Sequence, residues 1–473
     1  MRIRNVARER FHEKVFIRMS SNPLTQSQHF STMRKAFVRG ALLVAALSGV
    51  SCEEADAGTT MTTANAANNI AGFTTTNDAT EYAKITLDIK DIETEMKKDN
   101  MAGYPEAMKI FREGKNSKKS DGSFRTLEGM GVRKDEPFGK LYDDYSKVIA
   151  DGRVGYTPHG SVLAALNGTD GVYGKYGTGS ISNKPDFRSQ VAKKTIKFQV
   201  LQLYALHELE SAFGKYKKGE SATLALDEWW AFYAGNGEDG KASGFGPYIL
   251  AEKRRKFFGT GDRKVKNGGE SRVTELLLAG TKEIQTLMLA KGNDSKIDDI
   301  IKCMRAQLKV GLIQGCIQYV YKTDKDSKYP GDPTNAAAQG ETWAFCSGVL
   351  PFLHEVSAAD AGTLRAETDL VPDNTKNPSF VKVKALFSAK NLNAMGLSCK
   401  DIGGFVPGKE TSSEGTLAAD FKICTDGTIS NTNADTTKCT GTWAKDSAAH
   451  RHTASVLSMA ASFLLSASLF MRN

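Results

Sequence analysis

Three histidines, His159, His207 and His354, lie between residues 58 and 447 of the chain, and one of them stands among oxygen donors at helical spacing. In Tyr204-Ala205-Leu206-His207-Glu208-Leu209-Glu210, His207 and Glu210 are three apart, so on a helix they share a face, with Tyr204 one turn earlier. Imidazole, carboxylate and phenolate together suit Fe(III), a hard ion that prefers oxygen. The alternative is a His–Glu pair that satisfies itself at a bundle surface. His207-Glu208-Leu209-Glu210-Ser211 begins like the zinc-protease motif, but Ser211 occupies the place of the second histidine, which excludes a zincin. The sequence holds no Gly-x-Ser-x-Gly, phosphate-binding Gly-Lys-Ser/Thr loop or paired-glycine dinucleotide turn.

A second set of candidates comes from an internal repeat. Asp227-Glu228-Trp229-Trp230-Ala231-Phe232-Tyr233-Ala234-Gly235 recurs as Gly340-Glu341-Thr342-Trp343-Ala344-Phe345-Cys346-Ser347-Gly348, 113 residues on. The preceding apolar run, Ile196 to Tyr216, recurs as Ile301 to Tyr321 at an offset of 105, so the second connecting loop is eight residues longer. Leu312 stands opposite His207 and Gly315 opposite Glu210, which leaves the charged pair in one copy only. Glu228 and Glu341 are equivalent and flanked by aromatics. A carboxylate there must be paired, liganded or capping a helix, because burying it alone is costly; capping at the start of an apolar helix is the alternative to ligation. Tyr204, Tyr233 and His354, the last following the second copy, complete the candidate set.

The elements that must position these residues are helices. Apolar spacings of three and four run over 88–98, 106–112, 141–149, 191–216, 273–289, 297–321 and 380–392, and alternating β-branched runs are scarce. Ile196, Val200, Leu203, Leu206 and Phe213 form much of the expected buried stripe of 191–216. The fold class expected is all-α: internally duplicated helical bundles related by pseudo-symmetry, with a disulfide-stapled second half. Repeat 1 spans 80–261 and carries the His-x-x-Glu site, repeat 2 spans 262–400, and a disulfide-tied stalk spans 401–447. A mature chain of about 390 residues is more than one core usually holds, which fits such a split.

Both ends read as addresses. From Met33 the order is basic, apolar, then small (Arg34, Lys35 and Arg39; 40–47; up to Ala57), the layout of a secretory signal over 33–57, with 1–32 an extension of the gene reading. A lipidated Cys52 is the alternative. Small residues Ser447-Ala448-Ala449, a polar spacer and the apolar tail 456–470 have the order of a glycolipid (GPI) anchor signal over 448–473. The alternative, a spanning helix, would need roughly 20 residues, and the tail has 15. In a secreted chain Asn167-Gly168-Thr169 and Asn293-Asp294-Ser295 are glycosylation sequons.

Six cysteines follow the leader: Cys303, Cys316, Cys346, Cys399, Cys424 and Cys439. An even number in an oxidising compartment favours three disulfides, with Cys424 and Cys439 expected to pair locally. The net charge of +9 owes much to residues before 58, and no dense basic helix or aromatic-basic interleaving supports nucleic-acid binding.

On these residues a resemblance becomes specific. Tyr104-Pro105-Glu106-Ala107 through Gly114-Lys115-Asn116-Ser117, the His-Glu-x-Glu helix, Asp-Glu-x-Trp-Ala-Phe-Tyr-x-Gly, and the second copy ending Val349-Leu350-Pro351 and His354 resemble the iron-assimilating (FEA) proteins of green algae, relatives of the phytotransferrins. A looser similarity runs to imelysin-like iron-uptake proteins, whose Gly-x-His-x-x-Glu aligns with Ala205, His207 and Glu210; Ala205 departs from that pattern. The resemblance implies a cell-surface or periplasmic protein that captures Fe(III), with carbonate as a co-ligand. A ferric reductase or permease is the downstream partner expected for such capture, alongside the membrane attachment read from the C-terminal anchor signal. No pattern singles out a carbonate holder; Arg254 and Arg255 are merely the basic pair nearest the first copy. The expected ligands are His207 and Glu210, then Glu228 and Glu341, then Tyr204, Tyr233 and His354. The rival functions are an imelysin-like peptidase and a non-catalytic coat or adhesion glycoprotein.

Overall fold

The structure, a computed structural model, describes residues 68–405 with breaks at 99–100, 134–136, 149–156, 171–172, 174–180, 238–240, 262–270, 327–330 and 370–377, together with 422, 423 and 439. The leader over 33–57, the Cys52 alternative, the anchor signal over 448–473 and Cys424 lie outside the described residues.

Helices make up 71% of what is described, and the strands among the described residues are a short antiparallel pair, Asn69–Ile70 with Phe73–Thr74. The first half builds α1 (Thr80–Ala83), α2 (Ile85–Glu95), α3 (Tyr104–Glu113), α4 (Leu127–Gly131), α5 (Pro137–Val148), α6 (Pro158–Asn167) and α7 (Pro185–Thr195). A π-helical turn, Ile196–Val200, joins α7 to α8 (Leu201–Lys217), which is followed by α9 (Thr223–Ala234) and α10 (Tyr248–Phe258). The second half has α11 (Arg272–Leu289), α12 (Asp294–Thr323), α13 (Ala336–Val356), α14 (Ala358–Thr368), α15 (Phe380–Leu386), α16 (Ala389–Ala394) and α17 (Cys399–Ile402). Starts are set by short polar side chains: Thr157, Ser271, Asn293 and Asn335 each accept a bond from an otherwise orphaned N–H of α6, α11, α12 and α13. Exposed Asn293 thus caps α12, and Asn167 is exposed at the end of α6, so both sequons lie on the surface.

The repeat corresponds to two helix hairpins, α8–α9 and α12–α13, that share one continuous apolar core. Their faces are stitched by buried glutamines. Gln199 donates to the Ala344 carbonyl at 2.7 Å and Gln202 to the Leu308 carbonyl at 2.9 Å. Among the expected stripe residues Ile196, Val200, Leu206 and Phe213 are buried, while Leu203 is only half-buried; Leu209 takes the deeper place. The capping alternative for Glu228 and Glu341 does not hold. Both α9 and α13 start five residues before these glutamates, so each lies past the first turn.

The second half is stapled as expected, but not by the expected local pair. Cys439 reaches back 136 residues to Cys303 on α12, and Cys316 on α12 joins Cys346 on α13. Cys399 is disulfide-bonded too. Cys303 is fully buried, and Phe405, Ile423 and Cys439 pack into the same core, so this distant partner is brought to Cys303 by burial that local sequence does not reveal.

Candidate metal centre

Four oxygen-bearing side chains from three helices converge beside Phe232. On α8, Tyr204 and Glu208 are four apart and stand one above the other. From α9 comes Glu228, and from α1 Tyr82. The rings of Tyr82 and Tyr204 meet the Phe232 ring edge-on at 5.9 Å and 5.1 Å, which sets both phenols on one side of the hairpin. Tyr204 hydrogen-bonds Glu208, Glu208 hydrogen-bonds Glu228, and Tyr82 donates to Glu228. Arg125, from the loop before α4, lies over the Tyr82 ring at 3.7 Å and donates to its hydroxyl oxygen; Arg133 lies 5.8 Å from the Tyr204 ring.

Two carboxyls can share a hydrogen bond only if one of them holds the proton. Glu208 is 6% exposed, and its burial, then the neighbouring Glu228 charge, push its carboxyl up to about 8. Burial, then the glutamate charges, also raise both phenols above their ordinary range. The group is an acid-rich site whose charge is held down by a proton, and a multivalent cation can replace that proton. Among the described residues no three His, Cys, Asp or Glu side chains group as a metal site, so any metal here draws on the phenols as well as the carboxyl pair.

The structure brings some of the expected residues together and separates others. His207 borders the group, its Nε2 3.9 Å from a Glu208 oxygen and its ring 5.3 Å from that of Tyr204. Glu210 turns away and pairs with Arg305 on α12. Helical rotation explains this: Glu208 lies about 40° from Tyr204 around the axis and Glu210 about 120°, so the face containing Tyr204 and Glu228 takes Glu208. Glu341 sits in a different environment, with Lys194 at 2.9 Å. Tyr233, 2% exposed, is core, stacked on Trp229 at 5.4 Å and against Tyr248 at 6.1 Å. His354 packs on Tyr145 at 5.3 Å, about 20 Å along α13 from Glu341. His159, on α6, approaches Glu128 at 3.4 Å. Of the basic pair nearest the first copy, Arg254 donates through one nitrogen to Gln318 and Arg255 pairs with Glu252.

Sequence reasoning missed Glu208 and Tyr82. The i,i+4 spacing of Tyr204 and Glu208 was visible, whereas nothing local marks Tyr82, more than a hundred residues upstream. Asp227, next to Glu228, serves the fold instead. It accepts from the backbone of Thr76 and Asn77, at 3.1 and 2.7 Å, and holds the first described segment onto α9.

A family model described as Fea1, low iron-inducible periplasmic protein, matches residues 41–409. The chain belongs to this family. The match spans both hairpins and the acid group, and it agrees with the kinship to the algal iron-assimilating proteins read from the motifs. No curated protein and no solved structure is significantly similar to the chain. The family is periplasmic by description, and no helix among the described residues is long and apolar enough to cross a membrane.

Proposed function

We propose that the protein captures ferric iron outside the plasma membrane for assimilation, holding it as cargo between Glu208 and Glu228 with Tyr204 and Tyr82. The observation that carries this reading is the hydrogen-bonded carboxyl pair of buried Glu208 and half-buried Glu228, flanked by two phenols in a member of a low-iron-induced family. Carboxylate and phenolate are hard anionic donors, and they favour Fe(III) over Fe(II) and over softer divalent ions. Loading expels the shared proton, so affinity rises with pH. Reduction to Fe(II) weakens the hold of the same donors and offers a route of release to a ferric reductase or permease. His207 stands close enough to join or to steer Glu208. A carbonate co-ligand would find Arg125 and Arg133 at the rim. Residues 33–57 direct secretion, and 448–473 direct a glycolipid anchor.

Ferric titration of the purified protein tests this. Wild type should bind iron with a visible phenolate-to-iron absorption band, and Glu208→Gln with Glu228→Gln should lose both binding and band. A double variant that binds as tightly as wild type would move the site elsewhere. Release by a phosphatidylinositol-specific phospholipase checks the anchor.

A further inference from the structure

Around Glu341 the second hairpin collects cations rather than acids. Lys193 and Lys194 on α7, Lys197 on the π turn, Lys253 and Arg254 on α10 and Lys322 on α12 surround two carboxylates, Glu341 and Glu93. Each carboxylate already has a partner: Lys194 is 2.9 Å from Glu341, and Lys197 pairs with Glu93. The remaining basic groups are uncompensated within the cluster. Their mutual repulsion adds to burial in lowering the half-buried Lys193 and in bringing the buried Lys197 down to about 8.

Arg254 is the buried arginine of this cluster. It is 5% exposed, one guanidinium nitrogen donates to Gln318, and its Nε has no hydrogen-bond partner. A buried guanidinium N–H left unbonded costs free energy, so a site that keeps one is suited to an acceptor from outside. Tyr319, stacked on Phe345 at 5.4 Å, lies between Arg254 at 5.5 Å and Lys322 at 4.7 Å from its ring, and its hydroxyl bonds Glu341. The tyrosine thus fixes where the two cations can point. Lys253 and Lys322 are exposed and form the open rim.

We infer that this basic cluster binds a small oxyanion carrying two or more negative charges, with Arg254 as the buried hydrogen-bonding anchor and Lys194, Lys253 and Lys322 around it. An excess of several positive charges selects for a multiply charged guest over chloride, and a planar guanidinium with a free N–H favours an oxyanion geometry. The inference needs no metal and does not rest on the iron reading.

The test uses the full-length apoprotein and inorganic phosphate, sulfate, bicarbonate and chloride as probes, followed by calorimetry and thermal shift. Phosphate should bind and raise the melting temperature where chloride at equal ionic strength does not. Lys322→Ala, at the exposed rim, should weaken phosphate several-fold while keeping the helical spectrum. Arg254→Gln should weaken it at least tenfold, and Arg254→Lys should not restore it, since the fork is lost. Glu208→Gln should leave phosphate binding unchanged. The inference is overturned if phosphate binds no better than chloride, if bicarbonate binds more tightly than phosphate, or if folded Lys322→Ala and Arg254→Gln proteins bind phosphate like wild type.

Discussion

Glu228 and Glu341 occupy equivalent places in the two hairpins, sixth residue of α9 and of α13, yet they face opposite electrostatics. Glu228 meets the buried Glu208 carboxyl and two phenols, while Glu341 meets Lys194 and Tyr319 in a basic cluster. The equivalent phenylalanines show how one scaffold yields both. Phe232 is wedged edge-on between Tyr82 and Tyr204, leaving the phenols together. Phe345 lies flat between Phe198 and Tyr319 and presses on α12 at Gly315. A Cβ at Gly315 would come within 2.4 Å of the Phe345 ring. The position opposite Glu210 is therefore glycine because the second hairpin is closed there by an aromatic. Opposite Tyr204, His207 and Glu208 stand Lys309, Leu312 and Ile313, so no acid group can form. Both hairpins keep the aromatic seam; side chains at the seam decide the sign of each site.

The sharpest break of this comparison is to neutralise the glutamates of one hairpin and, separately, that of the other. Glu228→Gln with Glu208→Gln should reduce ferric affinity by more than 100-fold, about 3 kcal/mol or more of binding free energy, whereas Glu341→Gln should leave it within about twofold; iron titration of the two proteins side by side reads the difference. Equal losses would mean that the hairpins act as one site.

Stability should divide differently. Replacing Cys316 and Cys346 by alanine opens a staple across 30 residues and should cost about 3–4 kcal/mol in chemical denaturation. Leu206→Ala, fully buried on α8, should cost about 2–5 kcal/mol. Neither should alter iron affinity of the folded protein, and a large loss there would tie the core directly to the site.

The shared proton gives a prediction of pH dependence. Glu208 holds its proton more tightly folded than unfolded, with a value raised from 4.5 to about 8. Its contribution to apoprotein stability is therefore full below about 4.5 and is lost as pH rises through 8. Ferric affinity should run the other way, rising with pH across the same window. Glu208→Gln should flatten the stability profile and make the apoprotein more stable at pH 8 while losing iron. An unchanged profile in that variant would show that the pair does not share a proton.

The smallest effect is expected at Glu210. Because it pairs with Arg305 and points away from Tyr204, Glu210→Ala should weaken iron binding by about threefold or less, and His207→Ala by more; the same titration ranks them. A greater loss at Glu210 would restore the His-x-x-Glu reading of α8.

Much of the architecture was legible from sequence. Apolar spacing marks the long helices, the Trp-Ala-Phe repeat marks the two hairpins, and the rarity of histidine together with Tyr204 points to the part of α8 that borders the acid group. These features are local or periodic, and periodicity is what a helix makes of sequence. The choice of Glu208 over Glu210 depended on which face of α8 meets α9, a matter of tens of degrees fixed by packing against Phe232. Tyr82 arrives from a four-residue helix with no motif of its own, and Cys439 finds Cys303 across 136 residues. The six cations around Glu341 come from three separate segments, none of them dense enough to read as a basic patch. Sequence determined which groups were present and which helices carried them; tertiary structure alone decided which met, because burial and like-charge proximity exist only once the helices pack.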